Sequence, residues 1–252
     1  MSSSPTPIHL SEPASGPPAR ILQLYPHVEL YSLGEPPTHT LFVLGRPPLA
    51  VAASEAADQL LLIDPPADAP QRFRLPANTA ALFTGAVAEA GLPQVQTKAG
   101  GVAHIRVGEH LIDLYCQSAG NIAHLPALGL LCAGWYGSDA VLPQLAAGSD
   151  GTNELDTLRL LARLVKGRRL QLYIPQTGAL SSDPTEVLRR LANDVAYVHG
   201  LQRSRAQIIQ RQGDDAALQA LAEPLLPTDR HNAACRAAHW ANIRALIPTS
   251  GD

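Results

Sequence analysis

The order of the short apolar runs limits how this chain can fold more than any other feature of its sequence. Up to about residue 133, these runs have the length and alternation of strands, and Gly and Pro turns separate them. Beyond that point, strand-like runs alternate with segments of helical periodicity. Strands followed by helices are typical of proteins in which helices pack on sheets. The order therefore predicts an α/β fold with a β-rich first half.

Individual elements follow from periodicity and from their start and stop residues. A helix start is clearest at Asp183, Pro184 and Glu186, which have the residue types of an N-cap, a first and a third helical position. The predicted strands are 21–33 (interrupted at Pro26), 39–44, 49–53, 60–63, 102–107, 111–115, 128–133 and 170–174. The predicted helices are 78–91, 153–167 (opened by Asn153), 183–198, a short one after Asp214, and 232–246.

Composition predicts one domain and excludes some partners. Residues 1–19 are rich in Ser and Pro and form an expected disordered tail, and residues 20–252 form a single expected domain. A net charge of −3 gives no reason to expect nucleic acid or an anionic membrane as a partner. No apolar run approaches the roughly 20 residues that span a bilayer. We find no secretory signal and no disulfide framework among three cysteines, so a cytoplasmic location is expected.

A series of short motifs resembles the metallo-β-lactamase superfamily. Between residues 38 and 247, the matches come in the family's order and spacing. They are 61–65 (LLIDP, the family's LLIDPG turn), 108–115 (a hairpin), 117–121 (QSAGN, the HxxGx turn), 130–135 (LLCAGW, the GD turn), 155–165 (a helix), 174–178 (IPQTG, the GHG turn) and 239–243 (HWANI). The resemblance implies an αβ/βα four-layer sandwich.

The resemblance also implies a metal site whose ligands this chain lacks. Family enzymes hold one or two metal ions with His and Asp side chains, which activate a bound water. The later ligand positions fall on Gln117, Trp135 and Thr177.

The family's THxHxDH motif can be aligned in two ways. One alignment begins the motif at Thr84. The family's three His then correspond to Gly85, Val87 and Ala90, and its Asp to Glu89. The other treats 78–91 as the helix after a deleted motif, and the short span from residue 64 to 78 mildly favours it. Both alignments remove the first metal ligands, so we expect no metal, no cofactor and no catalytic residue of the family type.

Two interpretations of the remaining cleft stay open. In the first interpretation, the role of its loops is structural: they close the sandwich, and glycines are needed at their turns. Alternatively, the protein is a pseudoenzyme that binds a small molecule or a protein partner in the former active-site cleft. The candidate lining residues are Gln117, Trp135, Tyr136, Gln176, Thr177 and Glu89. A structural subunit, including a homo-oligomer, is a further possibility.

A hydrolase with a relocated metal site, or with none, is the alternative enzyme hypothesis. It requires ionisable groups that converge in one cleft. The candidates are Glu89, His104, His110, His124 and Asp139. His231, Cys235 and His239 share a helical face but lack evident further ligands, and Cys116 beside Ser118 lacks an evident base. The sequence has no GxSxG elbow, P-loop or GxGxxG fingerprint.

Overall fold

The computed structural model describes residues 19–45, 59–85, 91–96 and 98–247. Their strands form two five-stranded sheets, in which β4 with β5 and β9 with β10 are parallel pairs and all other neighbours are antiparallel. The first sheet has the order β1 (Ala19–Tyr25), β2 (Val28–Leu33), β3 (Thr38–Gly45), β4 (Gln59–Ile63) and β5 (Asn78–Leu82). The second has the order β10 (Leu172–Ile174), β9 (Leu130–Cys132), β8 (Gly120–Leu125), β7 (His110–Gln117) and β6 (Gly101–Val107).

Helices cover the outer faces of both sheets. They are α1 (Ala69–Arg72), α2 (Thr152–Gly167), α3 (Pro184–Gln210), α4 (Asp215–Ala222) and α5 (Ala233–Ala245), with a 3-10 turn at Glu223–Leu225. Only α1 belongs to the first sheet's outer face among the described residues, where Tyr31, Phe42 and Phe73 pack edge to face. The other helices share a core with the second sheet.

Alternation along the strands separates two cores. Side chains such as Leu41, Ile63 and Leu114 point between the sheets and are fully buried there. Side chains of the opposite face, such as Ile122 and Leu131, pack against the helices. Because a strand presents successive side chains to opposite faces, strands β7 to β10 of the second sheet contribute to both cores, while β6 contributes to the core between the sheets. The layers are therefore helix, sheet, sheet and helix, which confirms the expected α/β sandwich.

The predicted helix over 78–91 is wrong. Residues 78–82 form β5, which pairs in parallel with β4 from Gln59↔Asn78 to Ile63↔Leu82. The Ala-rich composition favours a helix, but burial between other layers decides the conformation of a short apolar segment. Residues 86–90 lie outside the described part of the chain, as do the predicted strand 49–53 and the tail over residues 1–18.

The helix starts and ends show where local signals suffice. The Asp183 side chain accepts the Thr185 N–H at 2.8 Å, so the predicted N-cap is confirmed. Helix α3 then continues to Gln210, well past the predicted end near residue 198. The predicted start of α2 at Asn153 is wrong, since the helix begins at Thr152 and follows Gly151, whose φ is 84°. No helix over the described ranges is both long and apolar enough to span a bilayer.

Candidate functional site

The loops at one end of the two sheets are organised around a buried carboxyl group. Asp64 follows β4 with a φ of 56° and is 4% exposed. Its carboxyl accepts hydrogen bonds from the Thr84 N–H at 2.7 Å and from the Thr84 hydroxyl, as well as from the Gly85 backbone. Burial raises the pKa of Asp64 to about 6, although these hydrogen bonds act in the opposite direction. Asp64 therefore fixes the turn that follows β5.

Two glycines let neighbouring loops pack directly on this turn. A Cβ atom at Gly120 would lie 2.9 Å from the Thr84 carbonyl oxygen, and one at Gly134 would lie 2.7 Å from it. Both glycines have positive φ, 137° and 58°, which side-chain-bearing residues rarely adopt. The β7–β8 turn and the loop after β9 thus contact the turn after β5 at backbone distance.

The loop after β10 completes this end of the molecule. The Gln176 N–H donates to the Gly134 carbonyl at 2.6 Å, and the His39 N–H donates to the Gln176 carbonyl at 2.8 Å. The His39 Nε2–H donates to the Gly178 carbonyl at 2.6 Å, so Nδ1 accepts from the Ser32 hydroxyl at 2.7 Å. Burial lowers the pKa of His39, which keeps the imidazole neutral in this role.

The turns after β5, β9 and β10 meet at Gly85, which the alignment beginning at Thr84 places at the family's first His. At Gly85, a Cβ atom would lie 2.5 Å from the Gln176 Oε1 and 3.2 Å from the Trp135 ring. The Gln176 amide and the Trp135 indole thus occupy the space directly above the Gly85 backbone. The alignment that treats 78–91 as the helix after a deleted motif does not fit the structure, because residues 78–82 form a strand. The alignment that begins the motif at Thr84 stays a prediction.

A cavity of about 400 Å³ remains open beside this filled position. The β7–β8 turn forms one wall, and residues near β5 and before β6 form the other. Among the described residues, the lining comprises Phe83, Gly85, Gln94, Val95, Ala99, Gln117, Ser118, Ala119, Gly120 and Asn121, none of which is ionisable. Gln94 was not singled out by the sequence, because only the fold brings it beside Gln117.

The candidate cleft residues have different positions. Gln117 lines the cavity, while Trp135 and Gln176 cover Gly85. Tyr136 does not form a cleft wall, because it is fully buried against the helices and its hydroxyl donates to the Ala119 carbonyl at 3.1 Å. Thr177 pairs through its backbone with Thr38 and accepts the Ser138 hydroxyl at its carbonyl. Glu89 lies outside the described residues.

The ionisable groups of the alternative hydrolase hypothesis are spread over the molecule. Asp113 on β7 lies between His104 on β6 and His124 on β8, on the second sheet's outer face. His110 begins β7 at the far end of the hairpin. Asp139 instead accepts the Ala179 N–H at 2.7 Å, at the cleft end of the molecule. The described candidates of this hypothesis, His104, His110, His124 and Asp139, do not line the cavity beside Gln117.

The helical His and Cys group is held by protein contacts. The His239 Nε2–H donates to the Ala222 carbonyl at 2.9 Å, and its Nδ1 accepts the Tyr197 hydroxyl at 2.9 Å. Cys235 Sγ lies 3.1 Å from the Ala140 carbonyl, which leaves exposed His231 as the free member. Cys116 is 2% exposed inside the core between the sheets, a position that suits packing and not nucleophilic attack.

Comparisons with known proteins give structural matches. No protein-family model matches the sequence, and no curated protein sequence matches it either. A β-lactamase domain protein from Burkholderia ambifaria superposes with a TM-score of 0.58 at 9% identity, covering 94% of this chain and 91% of that one. The sec-alkylsulfatase Pisa1 from Pseudomonas sp. gives 0.54 at 12%, covering 90% of this chain and 49% of that one. A metallo-β-lactamase from Erythrobacter litoralis gives 0.45 at 15%, covering 69% and 92%.

The chain has the metallo-β-lactamase fold. Identities of this size show a shared fold and do not transfer an activity. The metal that this fold often carries can be tested against the side chains present. Gly85 offers no side-chain ligand, the Trp135 indole N–H is only a donor, and neutral Gln117 and Thr177 are poor ligands for a transition metal. Over the described ranges, no three His, Cys, Asp or Glu side chains are grouped to hold a metal ion. These side chains therefore do not fit the metal ions that this fold often carries.

Proposed function

We propose that this protein is a non-catalytic binding protein on the metallo-β-lactamase fold, and that its former active-site cleft binds a small, uncharged polar molecule. One observation carries the proposal. The ligand positions hold Gly85, Gln117 and Trp135, yet a cavity of about 400 Å³ stays open beside them. Small-molecule sites in proteins begin at about 300 Å³, so the volume suits a compact ligand.

The lining argues for an uncharged ligand. The amides of Gln94, Gln117 and Asn121 and the Ser118 hydroxyl can both donate and accept hydrogen bonds. Phe83 and Val95 supply apolar surface beside them. A charged ligand would leave water without an opposite charge from the described residues of this lining, which is costly. A neutral molecule with several hydroxyl or amide groups would satisfy the lining at little desolvation cost.

The same lining argues against turnover. Hydrolysis requires a group that moves a proton within hydrogen-bond reach of the substrate. The side chains of the described lining are not ionisable, and His39, the buried imidazole near this end, uses both ring nitrogens in structural hydrogen bonds. Binding without chemical change is therefore the activity that the cavity supports best.

A ligand screen tests the binding. Neutral nucleosides, monosaccharides and small amides should include a compound that raises the melting temperature and binds saturably in calorimetry, because a ligand of the native state stabilises it. Gln117→Leu should weaken that compound by about tenfold or more, since it loses a hydrogen bond and leaves ligand groups unpaired. Gln207→Leu, at an exposed position of α3, is the matched control and should bind normally. No saturable binder in the panel, or equal loss in the control, would contradict the proposal.

Metal analysis of the purified protein tests the absence of family chemistry. We expect zinc, iron and manganese well below one equivalent, because the cleft side chains make poor ligands. One equivalent of any of these metals that disappears in Gln117→Leu or Thr177→Val would instead indicate a metal site in the cleft.

A further inference from the structure

A larger groove lies next to the cavity of the former active-site cleft, and Gln117 lines both. It has a volume of about 910 Å³ and separates the β6–β7 hairpin from α2. Val102 and Tyr115 are cross-strand partners that form one wall. Leu160 on α2 forms part of the other and, like Tyr115, belongs to the rim of the core between the second sheet and the helices. The groove therefore has a partly apolar floor.

The helix side of the groove is positively charged. Arg159, Arg163 and Lys166 all line it, and their spacing of four and three residues places them on one face of α2. Asp156 is the acidic residue among the lining side chains, and it pairs with Arg159 at 2.7 Å. Neither Arg163 nor Lys166 has a side-chain hydrogen bond or ion pair to another residue in the described ranges.

The hairpin side exposes apolar surface beside these charges. Val102 is 51% exposed although it lies on a strand of the second sheet. Gly100 and Gly101, which precede it along the groove, present no side chain, and a Cβ atom at either would meet nothing within 4 Å. An apolar group placed here would remove Val102 and the Tyr115 ring from water, which is favourable in proportion to the area covered.

We propose that this groove binds an anionic amphiphile, a small molecule in which one carboxylate or phosphate group is joined to an apolar chain or ring. The acidic group would contact Arg163 and Lys166, and the apolar part would lie on Val102, Tyr115 and Leu160. A volume of about 910 Å³ falls within the range of small-molecule sites, roughly 300 to 1,000 Å³. The charged residues that carry this proposal lie on α2 and do not line the cleft cavity, so the proposal does not depend on the one for the cleft, although Gln117 lines both spaces.

Calorimetry with four eight-carbon probes and inorganic phosphate tests the inference. Octanoate and octyl phosphate should bind saturably, with at least tenfold higher affinity than 1-octanol, octylammonium or inorganic phosphate. The affinities for octanoate and octyl phosphate should both decrease as NaCl is raised from 50 to 500 mM, because salt screens partly exposed charges. Binding of neither anion up to 5 mM, or equal binding of 1-octanol, would overturn the inference.

Paired variants locate the site. The double variant Arg163→Gln/Lys166→Gln should lose at least tenfold in octanoate affinity. The control Arg203→Gln/Arg211→Gln removes the same charge from exposed positions on α3 and at its C-cap and should bind octanoate normally. Gly101→Trp, which adds bulk to the groove wall where a Cβ atom meets nothing within 4 Å, should also abolish binding while the melting temperature stays within a few degrees. Normal octanoate binding by the double variant, or an equal loss in the control, would overturn the assignment to this groove.

Discussion

At the scale of single residues, the chemistry at the cleft depends on what replaced the metal ligands. Trp135 and Gln176 cover Gly85, so the space above the Gly85 backbone, at the position aligned with the family's first His, is filled by protein side chains. The sequence indicates which types of metal ligand are missing, because the residue type alone fixes the donor atoms that a side chain carries. It cannot indicate that Gln176, adjacent to an expected ligand position, reaches Gly85, since that contact requires β5 and β10 to end at the same place.

Asp64 gives a pH-dependent prediction. Its pKa is about 6 in the folded protein and about 3.9 in an unfolded chain. A raised pKa stabilises the folded state below the unfolded value, and this contribution is lost as the pH rises through the folded value. From pH 4 to pH 7, the unfolding free energy of the wild type should therefore fall by about 2 kcal/mol relative to Asp64→Asn, because each unit of pKa difference is worth about 1.4 kcal/mol and the unfolded carboxyl is already about half ionised at pH 4. Urea unfolding of both proteins across that range measures this.

The comparison isolates one carboxyl group, because all other titrating groups are common to both proteins. Thr84→Val serves as a second reference, since the Thr84 hydroxyl donates to Asp64 and lowers its pKa. Its loss should extend the fall to higher pH. A difference between wild type and Asp64→Asn that stays constant from pH 4 to pH 7 would show that Asp64 titrates normally.

At the scale of elements, the sequence predicted those with local signals and failed where tertiary contacts decide. The cap at Asp183 marks the start of α3, but the predicted end near residue 198 is wrong. The helix continues because Leu201 and Ile208 are buried against its neighbours. The strand β8 was missed because Gly120 and Asn121 have the composition of a turn, and β5 because its parallel pairing with β4 has no local signature.

A buried ion pair connects three elements and gives a stability prediction. Asp194 on α3 is 0% exposed; it accepts the Arg230 guanidinium at 2.8 Å and the Gly137 N–H at 2.6 Å. Arg230 precedes α5 and is 2% exposed. Asp194→Ala should cost about 3–5 kcal/mol at pH 8, because it leaves a buried guanidinium unpaired. Urea unfolding at pH 8 provides the measurement.

Two further variants control for the location and chemistry of this pair. Asp156→Ala removes an exposed partner of Arg159 and should cost within about 1 kcal/mol. Asp194→Leu/Arg230→Met removes both charges and should be less destabilised than Asp194→Ala, since no charge remains uncompensated. A loss for Asp194→Ala as small as that for Asp156→Ala would mean that the buried pair contributes little.

At the scale of the whole molecule, the layered architecture was predictable from the order of motifs, although each motif alone is weak. The order works because the LLIDP turn, the β7–β8 turn and the loops after β9 and β10 must all meet at one end of two facing sheets. The contact of Gly120 and Gly134 with the Thr84 carbonyl shows that these loops remain packed without a metal-ligand set. The cavity beside Gln117 could not be predicted from the sequence, because its walls come from segments that only the folded chain brings together.

The continuity of the cores predicts how the molecule unfolds. The second sheet contributes to the core between the sheets and to the core beneath the helices, so loss of one core exposes the other. The two tryptophans report on separate regions, Trp135 at the cleft end and Trp240 on α5. Urea unfolding followed by fluorescence in Trp135→Phe and in Trp240→Phe should therefore coincide, in each variant, with the transition seen by far-UV circular dichroism. A fluorescence midpoint for Trp240 that clearly precedes the dichroism midpoint would show that the helical layer unfolds separately from the sheets.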